Sequence, residues 1–413
     1  MQQNIKNVNN LKKEILIVGG GFAGVQCALD LARKGAECSI TIVSKEDDLI
    51  YYPAMYRYVT GSPQDQVAIP LAQIFKKYPE VAIINDEITH IDAQQKMVTG
   101  ASGTIYNGDY LVLAIGSENN YFHIEGVDQI SYNFKSFEAA EILRARIHKL
   151  FEGHVHSEIE EMLVSLHFVI VGGGPSGVEL AGELAVYAAE LARFHSLPES
   201  IVTIDIVERN ERLLARMPEK ISRKVAQRLQ GLGVHLLLNR TMIKNESWTV
   251  FLRDMKLGAK TVIWTAGVRS PDVSQDIDGL TYTKRGSIVV DEHLETQLKN
   301  GVFALGDIAD GPHSGLAQGA ISHGNHVASV IAADLKSKKR PQQKIKEPWH
   351  VVPVGPGWGA LHFRKITLFG WLAWASRFLA DARYYMSILP ISEVIAVLKQ
   401  QRTRVHETTN HKS

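Results

Sequence analysis

Three things are scarce in this sequence: cysteine, net charge and long apolar runs. The two cysteines, Cys27 and Cys38, are too few for a disulfide framework, a cysteine-ligated cluster or a zinc ribbon, and no metal site is expected. The 45 Lys and Arg residues nearly balance the 44 Asp and Glu residues, so a net charge of +1 gives no general reason to bind nucleic acid. No stretch reaches the roughly 18 uncharged apolar residues of a membrane-spanning helix.

Length and terminal composition predict a multidomain protein without a secretion signal. The 413 residues are too many for one ordinary core, so two or three domains are expected. Residues 1–10 are polar and lack the apolar centre of a signal peptide. We therefore expect the chain to fold on the cytoplasmic side.

The chain contains two βαβ units of the same design. Each has a short apolar run that ends at glycines, then a helical stretch, then a second β-branched run. The segments are 14–18, 24–34 and 39–43 in the first unit, and 167–171, a helix to about 193, and 202–207 in the second. Two such units predict an α/β protein with two Rossmann-like dinucleotide-binding domains.

Three later apolar runs, 110–116, 261–267 and 302–307, predict further strands and set the domain order. The last run ends in Gly306-Asp307 and is interpreted as the first domain resuming after an insertion. The predicted domains are 1–145 and 269–345 for the discontinuous first domain, 146–268 for the inserted second domain, and 346–413 for a C-terminal unit.

Both βαβ units carry a G-x-G-x-x-G loop between strand and helix. The first loop is Gly19-Gly20-Gly21-Phe22-Ala23-Gly24, and the second is Gly172-Gly173-Gly174-Pro175-Ser176-Gly177. Glycines let backbone N–H groups approach a pyrophosphate, and the helix N-terminus adds partial positive charge. A plain tight turn is the alternative, but both loops follow a strand and open a helix, as nucleotide binding requires.

An acidic residue after the next strand would bind the ribose of a dinucleotide. In the second unit this candidate is Glu208, whose charge favours NADH because it repels the 2′-phosphate of NADPH, although Arg209 and Arg212 are close in sequence. A solvated strand-end glutamate is the alternative. In the first unit the expected position holds Ser44, which is not acidic, and Glu46 is the substitute considered.

In combination these features resemble the flavoproteins with two dinucleotide-binding domains, and most of all the type II NADH:quinone oxidoreductases. The likeness covers about residues 13–335 and includes Gly116 and Gly267 after two strands, and the late Gly306-Asp307. Its other motifs are Gly177-Val178-Glu179-Leu180-Ala181-Gly182, Tyr52-Pro53-Ala54-Met55-Tyr56, Leu316-Ala317-Gln318-Gly319-Ala320 and Trp371-Leu372-Ala373-Trp374.

The resemblance implies that the first loop holds FAD and the second holds NAD(P)H. It also implies that Asp307 binds the ribityl–phosphate region, that Glu179 lies near the flavin in the nicotinamide path, and that Gln318 lines the quinone side. The alternative for Glu179 is a helix-face carboxylate stabilised by the helix dipole. The expected cofactor-binding residues are Gly19, Gly21, Phe22, Ala23, Gly24, Ser44, Glu46, Gly116, Gly172, Gly174, Pro175, Ser176, Gly177, Glu208, Gly267, Gly306, Asp307, Gln318, Gly319 and Ala320.

The sequence departs from this pattern at one position of the quinone site. The resemblance implies a second Gln a few residues after Gln318, where this chain reads Ile321-Ser322-His323-Gly324. His323 either replaces that polar contact or is a structural histidine.

A redox-active cysteine pair, as in disulfide reductases and sulfide:quinone oxidoreductases, is not expected. A dithiol relay needs two thiols within bonding distance. Cys27, on the first helix, and Cys38, just before the second strand, match neither relative and are expected to be buried small residues. Electrons should therefore pass from nicotinamide to flavin to acceptor without sulfur.

The C-terminal unit is amphipathic. Residues 366–380 predict a broad apolar helical face, with Arg377 and Asp381 one turn apart on the other side, and a second apolar stretch covers 391–398. We expect both to lie on the bilayer surface, with Trp at headgroup depth and cations toward anionic lipid. Docking on the protein's own core or on a homodimer partner is the alternative.

These features predict a peripheral, FAD-dependent enzyme on the cytoplasmic face of the cell membrane. It would transfer a hydride from NADH to flavin and two electrons to a quinone of the ubiquinone or menaquinone class, without pumping protons. Two alternatives remain open: an NAD(P)H-dependent reductase of a small electron-carrier protein, and a flavin-based redox sensor.

Overall fold

The computed structural model of the chain describes residues 12–152 and 159–399. Residues 1–10, in which no signal peptide is expected, and the end of the C-terminal unit, 400–413, lie outside the described residues. Within the described ranges, no helix combines the length and apolar character needed to cross a membrane.

The described strands are numbered in chain order. They are β1 (Lys13–Val18), β2 (Cys38–Ser44), β3 (Asp48–Ile50), β4 (Ala68–Pro70), β5 (Val81–Asn85), β6 (Ile88–Asp92), β7 (Met97–Gly100), β8 (Ile105–Asn107), β9 (Tyr110–Leu113), β10 (Glu118–Asn119), β11 (His167–Val171), β12 (Thr203–Glu208), β13 (Val234–Leu238), β14 (Met242–Glu246), β15 (Thr249–Leu252), β16 (Lys256–Gly258), β17 (Thr261–Trp264), β18 (Val268–Arg269), β19 (Val302–Ala304), β20 (His350–Pro353), β21 (Gly359–Phe363) and β22 (Ile366–Gly370).

The described α-helices are numbered in the same way. They are α1 (Phe22–Arg33), α2 (Met55–Val59), α3 (Leu71–Ile74), α4 (Val127–Ile130), α5 (Phe137–Glu152), α6 (Ile159–Ser165), α7 (Pro175–Phe194), α8 (Glu219–Gly231), α9 (Ala317–Leu335), α10 (Trp371–Ile388) and α11 (Ile391–Lys399).

The chain divides into two compact units, each built from three segments. Unit 1 contains the described parts of Met1–Leu49, Pro70–Ser117 and Ser270–Lys346. Unit 2 contains the described parts of Ile50–Ile69, Glu118–Arg269 and Glu347–Ser413. The three domains predicted above, of which the first is discontinuous, stay a prediction, because the compact units follow packing alone and combine the segments differently.

Unit 1 is organised by a five-stranded parallel sheet in the order β19-β9-β1-β2-β5. Its central strand, β1, is apolar from residue 15 onward because neighbours cover both faces, and Ile15, Leu16 and Ile17 have no exposed surface. Each such side chain contributes roughly 1.5–3 kcal/mol by leaving water. Helix α1 returns the chain from β1 to β2, which confirms the first βαβ unit.

Unit 2 repeats this arrangement with a four-stranded parallel sheet in the order β13-β12-β11-β17. Strands β11 and β12 pair in register from His167 with Thr203 to Val171 with Val207, and α7 joins them. The second βαβ unit is therefore confirmed. Strands β20, β21 and β22 form a separate antiparallel sheet in this unit.

The predicted boundaries differ from the structure at several points. The strands predicted over 110–116, 261–267 and 302–307 end earlier than expected. Their last residues in the sheet are Leu113, Trp264 and Ala304, and the residues that follow are not part of a strand. Cys38 is the first residue of β2 rather than the residue before it. The expected C-terminal helix is wrong over Ile366–Gly370, which forms β22 by pairing with β21.

Candidate dinucleotide and proton-transfer sites

The first glycine loop lies in unit 1, between β1 and α1. Gly19 donates its N–H to the Val43 carbonyl, 2.8 Å away, which fixes the loop at the carboxyl edge of the sheet. An added Cβ on Gly24 would lie 2.0 Å from the Gly19 carbonyl oxygen, so this close approach of helix and loop requires glycine. A Cβ on Gly21 would meet no heavy atom within 4 Å. The loop is thus tightly packed against the protein at Gly24, whereas the space beside Gly21 is empty of protein atoms.

The second loop, in unit 2, has the same geometry. Gly172 donates its N–H to the Val207 carbonyl over 2.9 Å, and a Cβ on Gly177 would lie 2.0 Å from the Gly172 oxygen. A Cβ on Gly174 would again meet nothing within 4 Å. In both helices the N-cap glycine offers no side-chain cap to the first-turn N–H groups. Each open side therefore presents backbone donors and a helix dipole to an anion.

Glu208 lies where the ribose-binding acid is expected. Its carboxylate accepts hydrogen bonds from the N–H groups of Gly173 (2.6 Å) and Asn210 (2.8 Å), so it is buried against the glycine loop rather than solvated. Ser44 occupies the equivalent place in unit 1, since its Oγ lies 2.7 Å from a Cβ built on Gly20. Glu46 lies two residues further along and is exposed.

The two arginines that follow Glu208 differ in their surroundings. Arg212 donates to the carbonyls of Met217 (2.8 Å) and Ala215 (2.6 Å), which directs its guanidinium into its own loop. Arg209 is exposed. The contacts of Arg212 leave Glu208 as the charge held against the second glycine loop.

Asp307 follows β19 in unit 1, and hydrogen bonds fix both its carboxylate and the preceding residue, Gly306. The Ser117 hydroxyl donates to Asp307 Oδ2 over 2.6 Å, one residue after Gly116. The N–H of Gly306 donates to Nδ1 of His323 over 3.1 Å. The structure thus brings Gly116, Gly306 and Asp307 together at the carboxyl ends of neighbouring strands, β9 and β19, as the sequence predicts.

His323 is a structural residue. It is fully buried on α9, and its Nε2 donates to the Pro312 carbonyl over 2.9 Å while Nδ1 accepts from Gly306. The pKa of this imidazole is lowered, mainly because the ring is buried, and the ring is therefore neutral. Because both nitrogens bind backbone groups, the ring has none left for a quinone, and it braces the loop that carries Asp307.

Gln318, Gly319 and Ala320 form the first turn of α9. Gln318 is exposed, whereas Gly319 and Ala320 are buried. In unit 2, Gly267 follows β17 with a φ of +107°, and a Cβ there would lie 2.8 Å from the Phe122 ring. Phe122 was not predicted from the sequence, because nothing in the local pattern marks it as a neighbour of Gly267.

Glu179 lies in the second turn of α7 and is buried in unit 2. Its removal from water raises the pKa of the carboxyl to about 7. The guanidinium groups of Arg377 and Arg57 oppose this rise, and the charge of Asp381 adds to it. A carboxyl that titrates near neutral pH is suited to take up and release protons.

Asp381 is the centre of the charges around Glu179. It accepts hydrogen bonds from the Tyr51 hydroxyl (2.6 Å) and from Arg57 (2.5 Å), and its Oδ1 lies 3.1 Å from Nε of Arg377. Arg377 also donates to the Pro53 carbonyl over 2.5 Å. These contacts join α10 to residues 51–57, a connection that no local sequence signal reveals.

Helix α10 is amphipathic as predicted, with Arg377 and Asp381 on the side opposite the apolar face. Their side chains are only 14% and 2% exposed, and each charge has partners within unit 2. The outward face carries Trp371, Leu372 and Leu379, which are 62%, 65% and 71% exposed. Neighbouring apolar side chains are also exposed: Ile366, Leu368, Met386, Ile391, Ile395 and Leu398.

Comparison with known proteins identifies the family. A family model described as pyridine nucleotide-disulphide oxidoreductase matches residues 13–324. The chain belongs to this family. It is 27% identical over 389 residues to the type II NADH:quinone oxidoreductase Ndh of Mycobacterium tuberculosis, covering 88% of this chain and 83% of that one. It is 28% identical to the type II NADH:quinone oxidoreductase of Haemophilus influenzae, covering 72% and 73%.

A solved structure of the same fold is NDH2 from Plasmodium falciparum in complex with NADH. The two chains superpose with a TM-score of 0.83 at 18% sequence identity, over 94% of this chain and 97% of that one. The comparison therefore confirms that the chain has the α/β fold with two dinucleotide-binding motifs predicted from the sequence.

The two cysteines of the chain form no disulfide in the structure. Cys27 and Cys38 are free and buried. Burial raises the pKa of both thiols, that of Cys38 to about 11, so neither is a thiolate at neutral pH. Among the described residues, no group of three or more His, Cys, Asp or Glu side chains is placed to hold a metal ion.

Proposed function

We propose that this protein is an FAD-dependent NADH:quinone oxidoreductase that reduces a ubiquinone or menaquinone without pumping protons. The observation that carries the proposal is one loop geometry, with an open cradle, repeated in each compact unit. The similarity to type II NADH:quinone oxidoreductases along most of the chain supports the choice of substrates.

Unit 1 holds FAD in this proposal. The open side of Gly21 and the N-terminus of α1 fit a pyrophosphate, and Ser44 offers a hydroxyl where a ribose would lie. Asp307, held by Ser117, provides a carboxylate for sugar or ribityl hydroxyls. When bound, FAD supplies the redox chemistry, accepting a hydride and giving up two electrons.

Unit 2 holds NADH. Gly174 and the first turn of α7, with Pro175 and Ser176, receive the pyrophosphate, and Gly267 lies at the end of a neighbouring strand. Glu208 accepts the ribose hydroxyls and repels a 2′-phosphate, because Arg212 is engaged with its own loop. NADH is therefore preferred to NADPH.

Glu179 exchanges the protons that accompany quinone reduction. Its carboxyl is buried and titrates near neutral pH, so it can hold a proton on a carboxyl oxygen and release it within one turnover. Gln318 is assigned to the quinone side by resemblance to the family. His323 takes no part, because its two nitrogens bind Gly306 and Pro312.

The exposed apolar face of α10 and α11 rests on the cytoplasmic surface of the membrane. Leu372 and Leu379 are one heptad apart on one side of α10 and expose most of their surface. Exposed Arg364, Lys365 and Arg383 lie in the same part of the chain and would face anionic headgroups. Since quinones reside in lipid, this placement brings enzyme and substrate together.

A steady-state assay of the full-length, FAD-loaded protein tests the proposal. NADH oxidation should be accelerated by short-chain ubiquinone or menaquinone analogues, with kcat/KM for NADPH at least about tenfold lower, as expected from one unfavourable charge contact. Anaerobic flavin reduction by each nucleotide separates nucleotide choice from acceptor choice.

Two results would contradict the proposal. Oxidation of NADH with a ferredoxin or rubredoxin, but with no quinone, would identify a reductase of electron-carrier proteins. Slow turnover with every acceptor, together with dimerisation on NADH addition, would identify a redox sensor.

A further inference from the structure

The proposed function uses one member of a buried charged cluster and leaves the others without a role. In unit 2 this cluster consists of Glu179 on α7, Arg57 on α2, and Arg377 and Asp381 on α10. The side chains of Arg57, Arg377 and Asp381 are only 10%, 14% and 2% exposed. Buried charges are costly unless they are paired, so their arrangement needs an explanation.

The charges in the cluster do not balance without Glu179. Arg57 and Arg377 contribute two positive charges, and Asp381 contributes one negative charge. An ionised Glu179 makes the sum zero, and a protonated Glu179 leaves it at +1. Proton uptake by Glu179 therefore changes the net charge of these four side chains. Asp381 offsets one of the two positive charges that the arginines contribute.

Asp381 also fixes the position of both arginines. It binds Arg57 through one oxygen and contacts Arg377 through the other, which also accepts from the Tyr51 hydroxyl. Arg377 is also held by the Pro53 carbonyl, and Arg57 lies over the Phe378 ring, but Asp381 is the carboxylate that contacts both guanidinium groups. Without Asp381, the two guanidinium groups would lie close together with no carboxylate between them.

Other titratable groups packed on α7 have their own partners or lie along the same helix. Tyr56 on α2 is buried, and the charges of Glu179 and of Glu183, one turn further along α7, both raise the pKa of its hydroxyl. On α5, Arg144 lies over the Tyr58 ring and His148 bonds the Tyr187 hydroxyl. Strand β20, which also packs on α7, has one titratable side chain, His350.

We infer that Asp381 is a positioning residue for the reaction: it holds Arg57 and Arg377 in place and offsets their charge, so that Glu179 can gain and lose a proton during turnover. This inference rests on the proposed function of Glu179. Asp381 itself touches no substrate in this account.

The pH dependence of kcat with a quinone analogue, measured on full-length FAD-loaded protein, tests the inference. Asp381→Asn removes one negative charge at nearly constant shape, so the limb governed by Glu179 should move to lower pH by about one unit. Arg57→Gln removes a positive charge and should move the limb to higher pH. Glu190→Gln, a carboxylate loss three turns along α7, is the matched control and should leave the limb in place.

Glu179→Gln distinguishes a failure of the proposed role of Glu179 from a failure of the inference about Asp381. If this variant retains the wild-type limb, the proposed role of Glu179 is wrong and the inference about Asp381 is wrong with it. If Glu179→Gln removes the limb, but Asp381→Asn and Arg57→Gln lower kcat equally at every pH, Asp381 is merely structural. Should one of these two variants fail to fold, the direction of shift in the other decides.

Discussion

At the scale of single residues, the proposed dinucleotide sites rest on glycine positions and one glutamate. A Cβ is sterically excluded at Gly24 and Gly177 by the chain's own carbonyl oxygens, whereas at Gly174 nothing in the protein opposes one. Because Gly174 also precedes a helix N-terminus in a G-x-G-x-x-G loop, we propose that its open side is the space for a dinucleotide pyrophosphate. The buried carboxylate of Glu208 lies against the same loop.

We predict that Gly174→Val raises KM for NADH at least about tenfold, because the new side chain fills the space for the pyrophosphate. FAD content should not change, since the first loop is in the other compact unit. Gly231→Val is the matched control, because a Cβ on Gly231 also meets nothing within 4 Å and this residue lies at the end of α8. A similar rise in KM for both variants would show that any added side chain disturbs the enzyme, whether or not it lies at the proposed pyrophosphate site.

At the scale of elements, α10 is an amphipathic helix whose polar side is buried. Asp381, Arg377 and Tyr385 bind residues 51–66, so the protein supplies the partners that water would otherwise provide. The aliphatic and aromatic side is left exposed, which is the opposite of a helix that packs on its own core. An exposed apolar face of this kind is typical of an interaction surface.

We predict that Leu372→Glu combined with Leu379→Glu releases the protein from vesicles of mixed neutral and anionic lipid. Both side chains are largely exposed, so the fold and NADH oxidation with a water-soluble quinone should be retained. Co-sedimentation with vesicles measures binding. Ile105→Glu, at a side chain that is 63% exposed in unit 1, is the control and should bind as the wild type does. Vesicle binding that survives the double substitution would reject this membrane face.

At the scale of the whole molecule, buried titratable groups make stability depend on pH in opposing directions. Burial lowers the pKa of His148, His323 and His326, so the unfolded chain binds more protons than the folded one below about pH 6.5. These histidines therefore cost stability as the pH falls. Burial raises the pKa of Glu179 to about 7, so this group contributes stability that is lost as the pH rises through that value.

We predict that Glu179→Gln makes the protein lose more stability than the wild type when the pH falls from 8 to 6. The amide stays neutral throughout and lacks the gain that the wild-type carboxyl receives on protonation, on the order of 1 kcal/mol over these two pH units. Thermal unfolding of FAD-loaded protein at several pH values measures this difference. Glu190→Gln should follow the wild type, and equal pH slopes for Glu179→Gln and the wild type would show that Glu179 is not buried as described.

Much of the candidate site was predictable because its signals are local. The loops at Gly19 and Gly172, the strand-end Glu208 and the late Asp307 each follow from a short pattern of strand, turn and helix. The role of His323 was not predictable, because a histidine on a helix has the same sequence signal whether it binds a ligand or two backbone groups. Only the positions of Gly306 and Pro312 decide between them.

The sequence by itself determined the fold class and the two glycine loops, because each depends on residues within one βαβ unit. Tertiary structure alone decided which side of α10 is exposed and which charges surround Glu179. Arg57 and Asp381 are separated by 324 residues, and a contact over that distance depends on how helices pack. No periodicity within a helix records it.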